Sequence, residues 1–318
     1  MSIAYRRLRG TSLDVSVLCY GPMRLATTPS DPLLPVHERA MRAALDGGIN
    51  FVHSSYEYGV RWLMNRVLSD HPARNDLHHV IKVPVPDWDD GAFDGRKYEM
   101  RIDEALKELC CEQIALVQWM WRIRPHDETH RLPLLARCID GLRETHERLA
   151  QAGKVGELAT FPYFPQSAAA AMMSSADFKC LIGYYNLLEV ELSPVADMLE
   201  ADGRSFLAIR PLYEGVLTDR YADHASVPHD HRLKAAKYAA AFEKRAALMK
   251  AFPEIAEQGL TKFALRFPLL SPNCASVIVG INTEEQVEQL LGMCSDVPPD
   301  PSLAGRVRAE AASLVNLT

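Results

Sequence analysis

Short apolar runs rich in β-branched residues alternate along this chain with longer stretches of helical period. LDVSVLCYGP alternates apolar and polar positions and ends in Gly-Pro, which reads as a strand running into a loop. HERAMRAALDGG then takes on helical period, and Gly47 and Gly48 close it as a C-terminal cap. The same step recurs in INFVHSS, HHVIKVPV, IALVQWMW, GELATF, KCLIGYY, SFLAIRP and ASVIVG, each followed by a more polar segment. RWLMNRVLSD, MRIDEALKELCC, ARCIDGLRETHERLAQAG, PVADMLEADG, TKFALRFPLLSP and TEEQVEQLLGM supply the amphipathic helices between them.

Eight buried strands separated by helices imply parallel pairing, and closure is the usual solution at that number. The pattern therefore predicts an α/β fold, a (β/α)8 TIM barrel, with AGRVRAEAASLVNL as a last helix packed on it. No Pro/Gly/Ser linker divides the chain, so residues 1–318 are read as one domain. The longest irregular piece, TDRYADHASVPHDHRLKA, follows the seventh strand. Its His224, His229 and His231, with Asp223 and Asp230, could ligate a metal, but nothing fixes their geometry. A polar lid is the reading preferred, and no metal site is predicted.

Composition narrows the partners. With 48% hydrophobic and 24% charged residues in 318, the chain has material for a large core. A net charge of -6 with both signs mixed argues against a nucleic-acid surface and leaves small molecules as the expected ligands. The opening MSIAYRRLRG lacks an apolar segment behind its charges, and no apolar run is long enough to span a bilayer. No membrane association and a cytoplasmic location are the expectation. Seven cysteines without CxxC spacing suggest neither a disulfide framework nor a zinc ribbon, and Cys110 and Cys111 read as helix-end residues entering the core.

Strand ends and the loops after them build the site in such a barrel. The second strand supplies GGINFVHSSYEYG, which resembles the aldo-keto reductase signature G-I-N-x-x-D-T-A-x-x-Y-G at Gly48, Ile49, Asn50, Tyr58 and Gly59. YRRLRGTSLDVSVLCYGPMRL is similar to the family's N-terminal hairpin and first strand, and LAQAGKVGEL to the stretch before strand five. The resemblance continues through YYNLL, LAIRPLYEGVLTDRY and SVIVGINTEEQVEQLL, covering nearly the whole chain.

The resemblance implies a tetrad beside a nicotinamide ring: an Asp and a Tyr near strand two, a Lys on strand three and a His on strand four. Tyr would donate the proton to the substrate carbonyl, tuned by the others. Tyr58 and Lys82 match two of these positions. His53 stands in place of the Asp, and Met120 in place of the His, with Trp121 following it. The loss of the Asp predicts a Lys82 without the carboxylate that would keep it protonated when buried. His53 could act as a base or donor, whereas Met120 offers only an apolar, polarizable wall. The catalytic set implied is Tyr58, Lys82 and His53.

On the cofactor side, the resemblance implies that Arg210, Pro211, Leu212, Gly215 and Leu217 form the loop beside a pyrophosphate. Gly280, Ile281, Asn282, Thr283, Glu285 and Gln286 would form the strand-turn-helix beside the adenosine. NADP(H) is the first expectation and NAD(H) the second, since Asn282 sits where many relatives place a basic residue. Phe161 and Pro162 replace the family's Ser-Asn pair, Ile182 its Gln, and Ile209 its stacking aromatic. The adenosine end is thus better kept than the nicotinamide end.

The substrate pocket is expected to include Arg24, Met120, Trp121 and Phe161, with Arg122, Arg124, Arg210, Trp119, Tyr163 and Tyr184 as further candidates. Three functions follow in order of preference. The first is a nicotinamide-dependent oxidoreductase acting on a carbonyl, hydroxyl or activated double bond. The second is a non-redox lyase, isomerase or cyclase using His53, Tyr58 and Lys82 for proton transfer, and the third is a binding subunit without catalysis.

Overall fold

The computed structural model describes residues 3–88, 90–122, 128–162, 168–295, 298 and 300–315. Eight parallel strands close into a barrel in the order β10-β3-β4-β5-β6-β7-β8-β9. They are β3 (Leu18–Gly21), β4 (Phe51–Ser55), β5 (His78–Pro84), β6 (Ile114–Met120), β7 (Val155–Thr160), β8 (Phe178–Tyr184), β9 (Ser205–Ile209) and β10 (Cys274–Gly280). The predicted barrel is therefore present, but LDVSVLCYGP is not one strand. Its first half is β2 (Asp14–Ser16), which pairs with β1 (Tyr5–Arg7) as an antiparallel hairpin, and only its second half enters the barrel.

Alternation along each strand sorts the side chains into two layers. Phe51, Val80, Leu116, Ile182, Leu207 and Ile278 fill the inside, and Leu8 and Val15 of the hairpin join that cluster. The opposite faces pack under the helices, where Trp119 stacks on Trp121 and on Phe178 with centroids 5.3 and 5.9 Å apart. One period further along the inward faces, past the apolar filling, stand His53, Lys82, Gln118 and Tyr184, and one period beyond Gln118 stands Met120. The barrel core thus serves as the floor of a pocket at the strands' C-terminal ends.

The helices are α1 (Leu34–Asp46), α2 (Arg61–Leu68), α3 (Gly95–Leu109), α4 (Glu128–Gln151), α5 (Ala168–Met173), α6 (Ser193–Ala201), α7 (Ala239–Ala251), α8 (Pro253–Gln258), α9 (Leu260–Arg266), α10 (Glu284–Cys294) and α11 (Pro301–Val315). The expected terminal helix is α11, and it lies against α7. Cys110 corrects the reading of the cysteine pair. It caps α3 in the left-handed region at φ 53 and is exposed, with only Cys111 partly buried. Among the described residues no helix is long and apolar enough to cross a membrane.

The segment after β9 is built from short turns. His231 accepts from Leu233 N to start one of them, and His224 packs on the Phe242 ring. No group of three or more His, Cys, Asp or Glu able to hold a metal occurs among the described residues.

Candidate active site

A cleft of about 870 Å³ opens at the C-terminal ends of the strands. His53, Tyr58 and Lys82 line it together, as do Met120, Phe161 and Arg24. Trp121 does not. It is fully buried on the outer face of the barrel, where its Nε1 donates to Arg131 O at 3.2 Å. It directly follows the inward-facing Met120, and the strand period sends the two apart.

Local sequence explains how Tyr58 gets there. β4 ends at Ser55, whose Oγ caps the single 3₁₀ turn Tyr56–Tyr58 by accepting from Glu57 N. Gly59 then takes φ 64, a conformation in which a side chain would be strained, and returns the chain to α2. Asn50 and Gly48, also fixed in the signature, serve the frame. Asn50 Oδ1 accepts from Ser16 N at 2.7 Å and Gly48 O accepts from Tyr5 Oη at 2.6 Å, so both tie the hairpin to β4.

The expectation that Lys82 lacks a carboxylate is overturned. Glu57, one residue before Tyr58, places its Oε2 2.7 Å from Lys82 Nζ. Its Oε1 lies 2.7 Å from Arg122 Nη2, and Ser55 Oγ donates to Oε2 at 3.2 Å. Arg122 is buried and pairs in turn with Asp87, 2.9 Å from Nε, while Tyr56 Oη donates to the same Asp87 at 2.8 Å. Arg122 is therefore ion-paired with two protein carboxylates. Arg124 and Tyr163 lie outside the described residues.

These contacts set the charges. Burial lowers the Lys82 pKa, and the hydrogen bond and charge of Glu57 counter it while Arg122 adds to the lowering. Burial opposes ionisation of Glu57, but Lys82 and then Arg122 outweigh it and hold the carboxyl below its ordinary range. Tyr58 is raised well above an ordinary phenol, first by burial, then by the negative charge of Glu57 and the neighbouring Tyr184. Lys82 sits over the Tyr58 ring, 5.1 Å from its centroid, and gives its hydrogen bond to Glu57. Among the described residues nothing hydrogen-bonds the Tyr58 hydroxyl.

His53 is buried, and burial drops its pKa to about 4. A hydrogen bond to Gln118 opposes the drop, and the charges of Lys82 and Arg61 reinforce it. His53 is therefore a neutral ring at neutral pH. Gln118 and Glu57 are the residues that sequence reasoning missed. Gln118 shares its inward face with Met120, a signal present in the period; Glu57 occupies a variable signature position, and its only signal was an acid next to Tyr58 at a strand end.

The cofactor candidates divide. Arg210, Pro211, Leu212 and Gly215 line the cleft, and so do Gly280, Asn282 and Gln286. Leu217 and Ile281 are fully buried in the main core instead, because their apolar side chains turn inward from the loops. Thr283 is the N-cap of α10, accepting from Gln286 N at 3.2 Å, and Glu285 accepts from Gln289 on the helix surface. Gln286 Oε1 accepts from Asn282 N at 2.8 Å.

The structure adds cations that the sequence reading did not single out. Arg220 and Arg232 line the cleft beside Arg24 and Arg210. Glu214, at φ 57, gathers three of the four: Arg232 at 3.0 Å, Arg24 at 3.9 Å and Arg210 at 4.0 Å. Tyr238 Oη also donates to it at 2.6 Å. Arg210 lies over the Tyr184 and Tyr213 rings, 4.9 and 4.5 Å from their centroids. Among the described residues the buried Asn282 Oδ1 has no hydrogen-bond partner, so this side of the cleft has acceptor capacity to spare. The arginines fit the phosphates of a dinucleotide, and the amide oxygen fits one of its hydroxyl or amino donors. Phe161 and Tyr184 present rings at 90°, and Ile182 is buried in the barrel floor.

A closed parallel barrel with a Tyr, a Lys and an arginine-lined groove at the C-terminal ends of its strands has the architecture of an enzyme that takes an anionic ligand. The sequence matches the Aldo/keto reductase family over residues 17–307, and the chain belongs to that family. A relative in Bacillus subtilis (strain 168), described as an uncharacterized oxidoreductase, is 25% identical over 294 residues and covers 89% of each chain. Among solved structures, an aldo-keto reductase from Bacillus halodurans in its holo form superposes with TM-score 0.73 at 20% identity, over 98% of this chain and 96% of its own. A glycerol dehydrogenase from Gluconobacter oxydans gives TM-score 0.73 at 22% identity, with the same coverage. The chain is an oxidoreductase of the aldo-keto reductase type.

Proposed function

We propose that this enzyme interconverts a carbonyl and an alcohol on a small organic substrate, with Tyr58 as the proton donor. The observation that carries the reading is that one cleft holds Tyr58 and Lys82 together with the arginines around Glu214. A bound nicotinamide dinucleotide would supply the hydride equivalent to the carbonyl carbon. Tyr58, kept as a neutral phenol by burial and by Glu57, gives its proton to the carbonyl oxygen, and the product is the alcohol. Lys82 contributes its positive charge at the ring of Tyr58. His53, neutral and tied to Gln118, lines the same wall and limits how the substrate sits. Met120 closes the wall with an apolar surface where relatives have a donor.

Arg24, Arg210, Arg220 and Arg232 would hold the phosphates of the dinucleotide. On the α10 side the polar lining is Asn282, Gln286 and Gln289, beside the apolar Leu290 and Met293, with Glu284 and Glu285 in the first helical turn. None of these side chains complements a 2′-phosphate. NAD(H) is thus expected to bind as well as NADP(H). An open cleft containing His53, Tyr58 and Lys82 counts against a role confined to binding.

The test is a fluorescence titration of the purified protein with NADH and NADPH, followed by turnover of a reactive aldehyde such as 4-nitrobenzaldehyde. Tyr58→Phe should leave dinucleotide binding intact and cut turnover by about 100-fold or more. Turnover that persists in this variant would remove Tyr58 from the chemistry, and failure of both dinucleotides to bind would overturn the reading.

A further inference from the structure

We infer that Glu57 is a positioning residue for Lys82, supplying from the turn after β4 the carboxylate that position 53 no longer provides. The inference rests on the proposal that Tyr58 and Lys82 form the working pair. Its geometry comes from three strand ends. Glu57 follows β4, Lys82 lies on β5 and Arg122 follows β6, and both cations reach the one carboxylate at 2.7 Å. A side chain at position 53 rises from the barrel interior, whereas Glu57 arrives from the rim, so the ammonium is drawn over the face of Tyr58.

This is not an ordinary surface ion pair. The Lys82 and Arg122 side chains are only 16% and 6% exposed, so neither can recover full hydration if the carboxylate is lost. Arg122 cannot slide away with Glu57, because Asp87 holds its other edge and Tyr56 holds Asp87. The groups facing Lys82 are Glu57 and Tyr58 from the turn, His53 from β4, Asp87 from the loop after β5, and Gln118 and Arg122 from β6 and its end. Of these, Glu57 alone is an anion in direct contact with the ammonium. Removing it leaves Lys82 desolvated beside Arg122, and free amine becomes the favoured form at lower pH.

The inference predicts that Glu57→Gln shifts the titration of Lys82 downward by a unit or more, with Glu57→Asp falling between Gln and the native residue. The readout is competitive acetylation of the full-length protein by trace acetic anhydride across a pH series, quantified by mass spectrometry, with exposed Lys107 as internal reference. At a fixed pH below the midpoint, Lys82 in Glu57→Gln should acetylate about ten-fold faster relative to Lys107. Circular dichroism melts establish that each variant is folded. If Glu57→Gln does not fold, the milder Glu57→Asp carries the test alone. A Lys82 midpoint unchanged in a folded variant overturns the inference. Because labelling needs neither dinucleotide nor substrate, it stands apart from the turnover test of Tyr58.

Discussion

His53 Nε2 and Gln118 Oε1 meet at 2.7 Å inside the barrel mouth, joining β4 to β6 across the strand between them. The pair uses one ring nitrogen as donor to an amide oxygen, which suits the neutral imidazole that burial already favours.

Acid stability follows from that. His53 and the buried His79 both have pKa values brought down to about 4, in each case mainly by burial. As pH falls through the ordinary histidine value, the unfolded chain binds protons that the folded chain refuses. The stability contributed by neutral burial is therefore complete above about pH 6.5 and is lost towards pH 4, by about 3 kcal/mol for each ring. Thermal melts between pH 4 and 7 should show this slope, and His79→Gln should flatten it. An equally steep loss in the variant would assign acid sensitivity to other groups.

Met120 offers the converse experiment. Met120→His returns a hydrogen-bond donor to the pocket wall without a designed partner, at a cost of about 1–3 kcal/mol in stability. We expect kcat for 4-nitrobenzaldehyde to rise several-fold while the melting temperature falls. A folded variant with unchanged or lower kcat would mean that the wall at this position does not limit catalysis.

Cofactor choice is testable at Asn282. Arg in its place would set a planar, permanently charged fork beside the adenosine site. Asn282→Arg should shift the ratio of NADPH to NADH affinity by about ten-fold towards NADPH, the scale of one charge-assisted hydrogen bond. Equal titration curves for both dinucleotides before and after the change would show that this residue does not face the ribose.

The barrel was legible because each strand is a short apolar run and every crossover but a few carries strong amphipathic contrast. Of the three unpredicted helices, the short α8 aside, α5 and α7 were missed for the opposite reason. AAAAMM and AAAFEKRAALMKA are rich in alanine, which is helix-favouring yet too small to mark a face. Tyr58, Lys82, His53 and Met120, which share the cleft, were legible only through the resemblance to the family's signature and tetrad positions. Glu57 was not, since strand alternation stops at Ser55 and the following turn rotates position 57 towards β5. Trp121 failed for a related reason: proximity in sequence to Met120 says nothing about which side of a strand a residue occupies.

Lys82, Glu57, Arg122 and Asp87 form a closed set of two cations and two anions, each already beside its opposite. Such a quartet casts almost no field beyond its own dimensions, so added salt has little to screen there. Arg24, Arg210 and Arg232 outnumber by one the two carboxylates among them, Glu214 and the Glu189 that lies 3.5 Å from Arg210, and keep an outward-reaching positive field. Ionic strength should therefore weaken the capture of an anionic ligand while leaving the chemical step, once the ligand is seated, nearly untouched.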